Sequence, residues 1–312
     1  MQIHHIPVLL DFIGKEILRP TDKFIVDLTL GEGGHTAFFL GAGKRVLAVD
    51  RDERILAKAR ERLAAHGAAL STWCGNFADA GALFERNSGE YDLVLMDLGI
   101  SMYHYRESGR GFSFQAEEPL DMRLTGGDGL TASQIVNSWP EHEIADLFFR
   151  LGGEKKSRGM ARRIVSERSR KPIESAKALA DLLKSFAPPP RHGEKHAHGA
   201  TRAFQALRIA VNGELDHIEA GIRNAAAHLK AGGRIAVITY HSLEDRLVKE
   251  TFKSFTGAKV HVNRYRERPV GSGWRLLFDK PVLASPDETR ANPAARSAKL
   301  RVLVKEDPPP NV

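Results

Sequence analysis

The segment Val26-Asp27-Leu28-Thr29-Leu30-Gly31-Glu32-Gly33-Gly34-His35-Thr36, with Asp50 nineteen residues beyond Gly31, constrains this chain more than any other. The apolar run Phe24 to Leu30 reads as a buried parallel strand. Three glycines then open a tight loop, and Thr36-Ala37-Phe38-Phe39-Leu40 begins a helix. A second apolar run, Arg45-Val46-Leu47-Ala48-Val49, ends on Asp50. Together these make the first half of a nucleotide-binding β-α-β unit. The glycines let backbone N–H groups approach a ligand, and the acid at the second strand tip accepts hydrogen bonds from a ribose. The ligand expected is a cofactor carrying adenosine.

The loop also discriminates between cofactors. The dinucleotide fingerprint sets glycines at its first, third and sixth positions, and here the sixth is Thr36. Glu32 and His35 stand where a diphosphate would sit. A carboxylate repels a diphosphate but tolerates a sulfonium with a free amino group. S-adenosylmethionine therefore fits better than NAD.

The rest of the chain supplies an open α/β sheet. Val8 to Ile17 reads as a leading helix, and Asp52 to His66 alternates apolar and charged residues at helical spacing. Ala69 to Cys74 and Tyr91 to Asp97 read as third and fourth strands. The alternation then stops until a helix from Glu214 to Lys230, a Gly232-Gly233 stop, a strand from Arg234 to Tyr240 and a helix from Leu243 to Phe255. Trp274 to Phe278 and Lys299 to Lys305 read as further strands. The expectation is an open, Rossmann-like α/β sheet built from residues 1–100 and 213–306, an inserted helical domain at 101–212, and a disordered tail at 307–312. No apolar run approaches the roughly 20 residues that span a bilayer, so no membrane partner is expected. The single cysteine, Cys74, excludes an internal disulfide, fits a reducing, cytoplasmic location and reads as a small core residue.

Charge is concentrated in the insertion. The whole chain carries a net charge of +7, and between Arg150 and Lys171 nine Lys or Arg face only two Glu. Met160, Ile164 and Val165 give that segment a narrow apolar stripe, with Arg158, Arg162 and Arg163 about one turn apart. Such an array suits a phosphate backbone; a solvated helix face is the bland alternative. The later loop Pro188 to Gly199 holds three histidines, His192, His196 and His198, which are not counted as a metal site.

Longer blocks carry a resemblance. They include His5-Ile6-Pro7-Val8, Met96-Asp97-Leu98-Gly99-Ile100-Ser101, Arg110-Gly111-Phe112-Ser113-Phe114 and Pro119-Leu120-Asp121-Met122-Arg123. Ala200 to Ile209, Tyr240-His241-Ser242-Leu243-Glu244-Asp245-Arg246 and Asn292 to Arg301 complete the set. Over nearly its whole length the chain resembles the bacterial small-subunit (16S) ribosomal RNA cytosine-N4 methyltransferases, subfamily H. The resemblance implies S-adenosylmethionine as cofactor, N4 methylation of a decoding-centre cytidine, and ribosomal RNA in the assembled small subunit as partner; a homodimer is compatible with it. It implies cofactor contacts from Gly33, Gly34, His35, Asp50, Phe77, Asp97 and His104. The segment Ser101-Met102-Tyr103-His104 departs from the family's usual Ser-Ser-Pro-Gln, although His donates and accepts as Gln does.

Asp97, ending a central strand, and His241, following the next one, are the candidate catalytic residues: an oxygen acceptor for the amine hydrogens and a proton relay, with service to the cofactor the alternative for Asp97 and a satisfied structural histidine the alternative for His241. Arg158, Arg162, Arg163, Arg202 and Arg208 are the candidate RNA contacts. Two other classes stay open. An NAD-linked oxidoreductase would retain the Gly31 to Asp50 unit, and a non-catalytic RNA-binding module would retain the basic insertion.

Overall fold

A computed structural model describes residues 6–86, 90–187, 198–257 and 273–306. The expected tail at 307–312, His5 of the first resembling block, and His192 and His196 of the histidine loop lie outside the described residues. The chain divides into two compact units, Met1–Ile100 with Leu215–Val312, and Ser101–Glu214.

The first unit opens with α1 (Leu10–Phe12), which runs directly into a π turn at Ile13–Ile17 where one regular helix was expected. β1 (Phe24–Asp27) follows, then α2 (Gly34–Gly41), β2 (Arg45–Asp50), α3 (Glu53–Leu63), β3 (Leu70–Cys74), the short α4 (Gly81–Glu85) and β4 (Tyr91–Asp97). β1 stops three residues short of the expected Leu30. The Asp27 carboxylate accepts from Thr29 N at 3.1 Å, while Leu28 N still donates to Leu95 O at 2.9 Å and Leu30 N to Val49 O at 2.8 Å. α2 starts two residues early because Gly33 takes φ 76° and turns the chain into the helix. Cys74 is exposed at the end of an edge strand, which corrects its reading as a core residue.

The second unit is helical. It contains α5 (Met102–Arg106), α6 (Ala132–Ser138), α7 (Glu141–Gly152), α8 (Ser157–Arg168), α9 (Ala176–Leu183) and α10 (Thr201–Asn212). Its core is apolar and side-on: Ile144 and Phe148 of α7, Met160, Ala161 and Ile164 of α8, Leu179 and Leu183 of α9, and Ala203 and Leu207 of α10 are all buried. Asn212 closes the unit by accepting from Leu124 N at 2.9 Å and donating to Met122 O at 2.8 Å.

The chain returns through α11 (Glu214–His228), β5 (Leu229–Thr239), α12 (Ser242–Thr256), β6 (Trp274–Leu276), β7 (Val282–Leu283), α13 (Pro286–Ala291) and β8 (Lys299–Lys305). Gly232-Gly233 was expected to stop a helix ahead of a strand at Arg234. The pair instead lies inside β5 as an irregularity, with Gly232 at φ 73°, and the pairing with β4 jumps from Tyr91 opposite Leu229 to Leu93 opposite Arg234. β7 and α13 are too short to show a period in the sequence. The eight strands run β3-β2-β1-β4-β5-β8-β6, with β7 also on β8. β1 to β5 are mutually parallel and β8 is antiparallel to its neighbours.

The strands read as continuous apolar runs because both sheet faces are covered. On one face Ile25, Val46, Leu93, Leu95 and Ile238 pack with Ile13, Phe39 and Leu56. On the other Val26, Val49, Val94, Met96 and Val237 pack with Phe84, Ile218, Ile222 and Phe252. None of the described helices is long and apolar enough to cross a membrane.

Candidate active site at the carboxyl edge of the sheet

β1, β2 and β4 each end on an aspartate: Asp27, Asp50 and Asp97. β1 lies between β2 and β4, so the connections from β1 and β4 diverge at this point, and open α/β sheets bind ligands in the crevice so formed.

The glycine loop is fastened to this edge. Asp50 Oδ2 accepts from Gly31 N at 2.8 Å and Oδ1 from Asp52 N at 2.9 Å. Gly31 and Gly33 take φ 51° and 76°. A Cβ on Gly34 would strike the Pro7 ring, so glycine at this position lets the N-terminal segment close against the loop. Beneath the loop, buried Asp27 accepts from Thr36 Oγ1 at 2.7 Å. Burial pushes the Asp27 carboxyl above its ordinary range, although Thr36 and Thr29 oppose the shift.

His35 is buried, and burial lowers its imidazole below the ordinary range, so it stays neutral at pH 7. The neutral ring has one N–H, and Val8 O lies 3.0 Å from Nε2, which places that proton on Nε2. Nδ1 then presents a lone pair 3.7 Å from Asp97 Oδ2. The other Asp97 oxygen, Oδ1, accepts from the Tyr240 phenol at 2.6 Å, and Asp97 N donates to Thr29 Oγ1 at 2.6 Å.

Phe77 sits one strand over. Asn76 caps the short turn that carries it, accepting from Ala78 N at 3.0 Å, and Asn224 of α11 donates to Ala78 O at 2.8 Å. A Cβ on Gly221 would come within 2.5 Å of the Phe77 ring, so this glycine permits a close seat on α11. The ring is half-buried against the core. Its packing role and a stacking role are compatible, because one face can be covered while an edge or face stays accessible.

His241, His104 and the five arginines complete the expected set. His241 caps α12: its Nδ1 accepts from Glu244 N at 3.3 Å, while Glu244 Oε2 accepts from His241 N at 3.2 Å. Its Nε2 lies 3.0 Å from Glu244 Oε1 but is poorly directed for a hydrogen bond. His104 belongs to the helical unit, where it is buried against the Tyr103 and Phe112 rings with its Nδ1 3.3 Å from Ser101 Oγ. Arg158, Arg162 and Arg163 are exposed on α8, Arg162 lying 3.9 Å from Glu141 at the surface. Arg202 donates to Gly153 O at 3.3 Å and pairs with Glu154. Arg208 is mostly buried in a bidentate pair with Glu214, both contacts at 2.8 Å, and also donates to the Tyr105 phenol.

Sequence reasoning missed Asp27 and Gly221 as parts of this edge and did not connect Tyr240 to Asp97. The signal for Asp27 was visible: three apolar runs each close on an acid. Nothing local marks Gly221, whose role depends on a ring far away in the chain.

Residues 2–306 match the MraW methylase family. The protein is 43% identical to Ribosomal RNA small subunit methyltransferase H of Treponema denticola, covering 98% of this chain and 99% of that one. It is 40% identical to the protein of the same name from Methylorubrum extorquens, covering 99% and 89%. An rRNA methylase structure from Streptococcus thermophilus aligns at 14% identity with a TM-score of 0.37, covering 96% of this chain and 94% of that chain. Because the match spans the glycine loop, all three strand-ending acids and the whole helical insertion, this chain belongs to the MraW methylase family.

Proposed function

We propose that the protein is an S-adenosylmethionine-dependent methyltransferase acting on N4 of a cytidine in the decoding centre of small-subunit ribosomal RNA. The observation that carries this reading is Asp97. It ends a central strand at the topological switch point, beside the glycine loop, with one carboxylate oxygen bound by Tyr240 and its backbone bound by Thr29. The curated relatives, named as small-subunit ribosomal RNA methyltransferases, support the substrate class.

The donor set fits the cofactor. In this reading Asp50 takes the ribose hydroxyls, Gly33 and Gly34 allow close backbone approach, and Phe77 takes the adenine. His35 offers an acceptor for a positively charged amino-acid moiety. A diphosphate would meet carboxylates here and be repelled. S-adenosylmethionine supplies an activated methyl group on its sulfonium. The protein then has to place the cytosine amine in line with it, and placement alone contributes up to about 7–11 kcal/mol. The amine lone pair is delocalised into the ring. An oriented carboxylate oxygen on the amine hydrogens favours the tetrahedral geometry in which that lone pair becomes available.

Methylation at C5 of cytosine would need a thiolate nucleophile. Partial burial, with Glu53 and Asp50 nearby, pushes the Cys74 thiol up, and β2 and β1 lie between β3 and β4. N4 is the better target.

The exposed Arg158, Arg162 and Arg163 row on α8 is the proposed phosphate track; Arg202 and Arg208, already engaged by Glu154 and Glu214, contribute less. An enzyme of this kind works in the cytoplasm, on the assembled small subunit. Changing the three α8 arginines to Glu should weaken RNA binding and reduce the slope of log affinity against log salt by nearly one for each lost contact. Identical slopes would move the RNA contact elsewhere. The reading as a whole is tested by titrating the protein with S-adenosylmethionine and with NAD. It is tested further by nucleoside mass spectrometry of ribosomal RNA from a strain lacking the protein. Unchanged N4-methylcytidine in that strain would defeat it.

A further inference from the structure

We propose that Tyr240 is a positioning residue for methyl transfer: its phenol fixes the Asp97 carboxylate so that the second oxygen is presented to the acceptor amine. The inference rests on the reading that Asp97 meets that amine, and goes beyond it by naming the group that sets its orientation.

The geometry is specific. Tyr240 directly follows β5, and its hydroxyl donates to Asp97 Oδ1 at 2.6 Å, a short charge-assisted contact. A carboxylate held only through its backbone can rotate about its last torsion. A carboxylate held at one oxygen as well has its other oxygen aimed. Asp97 has both restraints, Thr29 on its main chain and Tyr240 on its side chain.

Tyr240 is itself held from two sides. Its ring lies against Gly99, where φ is 104° and an added Cβ would stand 3.4 Å from Cδ2. Its main-chain N donates to Glu244 Oε2 at 2.8 Å, and the same oxygen accepts from His241 N. Glu244 is buried and its own N–H is taken by His241 Nδ1. The capping box of α12 therefore fixes the backbone from which the phenol reaches Asp97. This gives the Tyr240-His241-Ser242-Leu243-Glu244 block one coherent job, with His241 as clamp and Tyr240 as effector. Burial first, and then the neighbouring Asp97, push the phenol well above its ordinary range, so it remains a donor at every working pH.

Packing alone would be satisfied by phenylalanine, which keeps the ring on Gly99 and removes only the donor. The test uses the full chain as wild type, Tyr240→Phe, Asp97→Asn and the double variant. It measures single-turnover methyl transfer to small ribosomal subunits and the affinity for S-adenosylmethionine. Tyr240→Phe should slow transfer by about tenfold or more, the size of one charge-assisted hydrogen bond, while cofactor affinity moves by less than about threefold. In the Asp97→Asn background, the same change should slow transfer by less than about twofold, because the two residues act as one unit. Tyr240→Phe at the wild-type rate, equal losses in rate and cofactor affinity, or the same fold loss in both backgrounds would each overturn the inference. Wild-type protein that forms no N4-methylcytidine would overturn the functional reading as well, so the two failures are distinguishable.

Discussion

At the amino edge of the sheet, acids meet lysine and arginine side chains. At the carboxyl edge, they meet hydroxyls, backbone amides and a neutral imidazole. Asp22 pairs with Arg234, each about 2% exposed, and Lys44 caps the same turn by donating to Asp22 O at 2.7 Å and Pro20 O at 2.9 Å. Asp92 pairs with Lys230 and accepts from Lys23 N at 2.8 Å and Phe24 N at 2.9 Å. Burial alone would raise the Asp92 carboxyl, but these hydrogen bonds outweigh it and hold the group below its ordinary range. At the other edge Asp27, Asp50 and Asp97 take hydrogen bonds from Thr36, Gly31, Asp52 and Tyr240. Neutral donors fix the direction of a carboxylate without cancelling its charge, whereas a guanidinium does both. One edge uses acids to close the fold, and the other aims them.

That contrast can be broken most forcefully at its structural end. Arg234→Met leaves Asp22 buried without its partner and should cost about 3–5 kcal/mol of stability, read by urea unfolding. Folded protein should bind S-adenosylmethionine as before. A variant that unfolds normally but loses cofactor would show that the two edges are not separate in function.

Asp97→Asn keeps the shape and removes the charge. Single-turnover transfer should fall by about a hundredfold, with a much smaller loss of cofactor affinity. Equal losses would make Asp97 a cofactor ligand only. Asp50→Ala should do the reverse, weakening S-adenosylmethionine at least about tenfold, as expected for lost charged hydrogen bonds of roughly 1.5–3 kcal/mol. Calorimetric titration decides it, and an unchanged dissociation constant would remove Asp50 from the site.

The smallest effect sharpens the comparison by pH. Asp92 has a depressed carboxyl, so its contribution to stability is present above the unfolded value, near about pH 4, and disappears as pH falls through the lower folded value. Asp27 has a raised one, so its contribution is fully present below about pH 4 and is lost as pH rises through the folded value. At pH 7, Asp92→Asn should therefore cost about 1 kcal/mol or more, while Asp27→Asn should be neutral or slightly stabilising. Urea unfolding across pH measures both. Equal costs at pH 7 would contradict the assigned difference between the edges.

Much of this was legible in the sequence, and for a physical reason. Parallel strands covered on both faces must be apolar throughout, so β1, β2 and β4 stand out as runs, and the acids that close β2 and β4 mark the ligand edge. The glycine loop is local chemistry, since φ above zero demands glycine where it occurs. Other features needed the fold. Gly232-Gly233 reads as a stop, yet it is accommodated inside β5 because the ladder to β4 resumes beyond it. Tyr240 and Asp97 are distant in sequence and meet only because β4 and β5 lie side by side. Arg208 reads as a basic surface residue until its pairing with Glu214 is seen.

The most direct test of the account is methyl transfer itself. Purified protein is incubated with methyl-labelled S-adenosylmethionine and small ribosomal subunits from a strain lacking the enzyme, and the RNA is digested to nucleosides for mass spectrometry. Label is expected in N4-methylcytidine at a single decoding-centre position, slowed by Asp97→Asn but not by Cys74→Ala on the edge strand β3. Label at C5 of cytidine, or in another nucleoside, would contradict it.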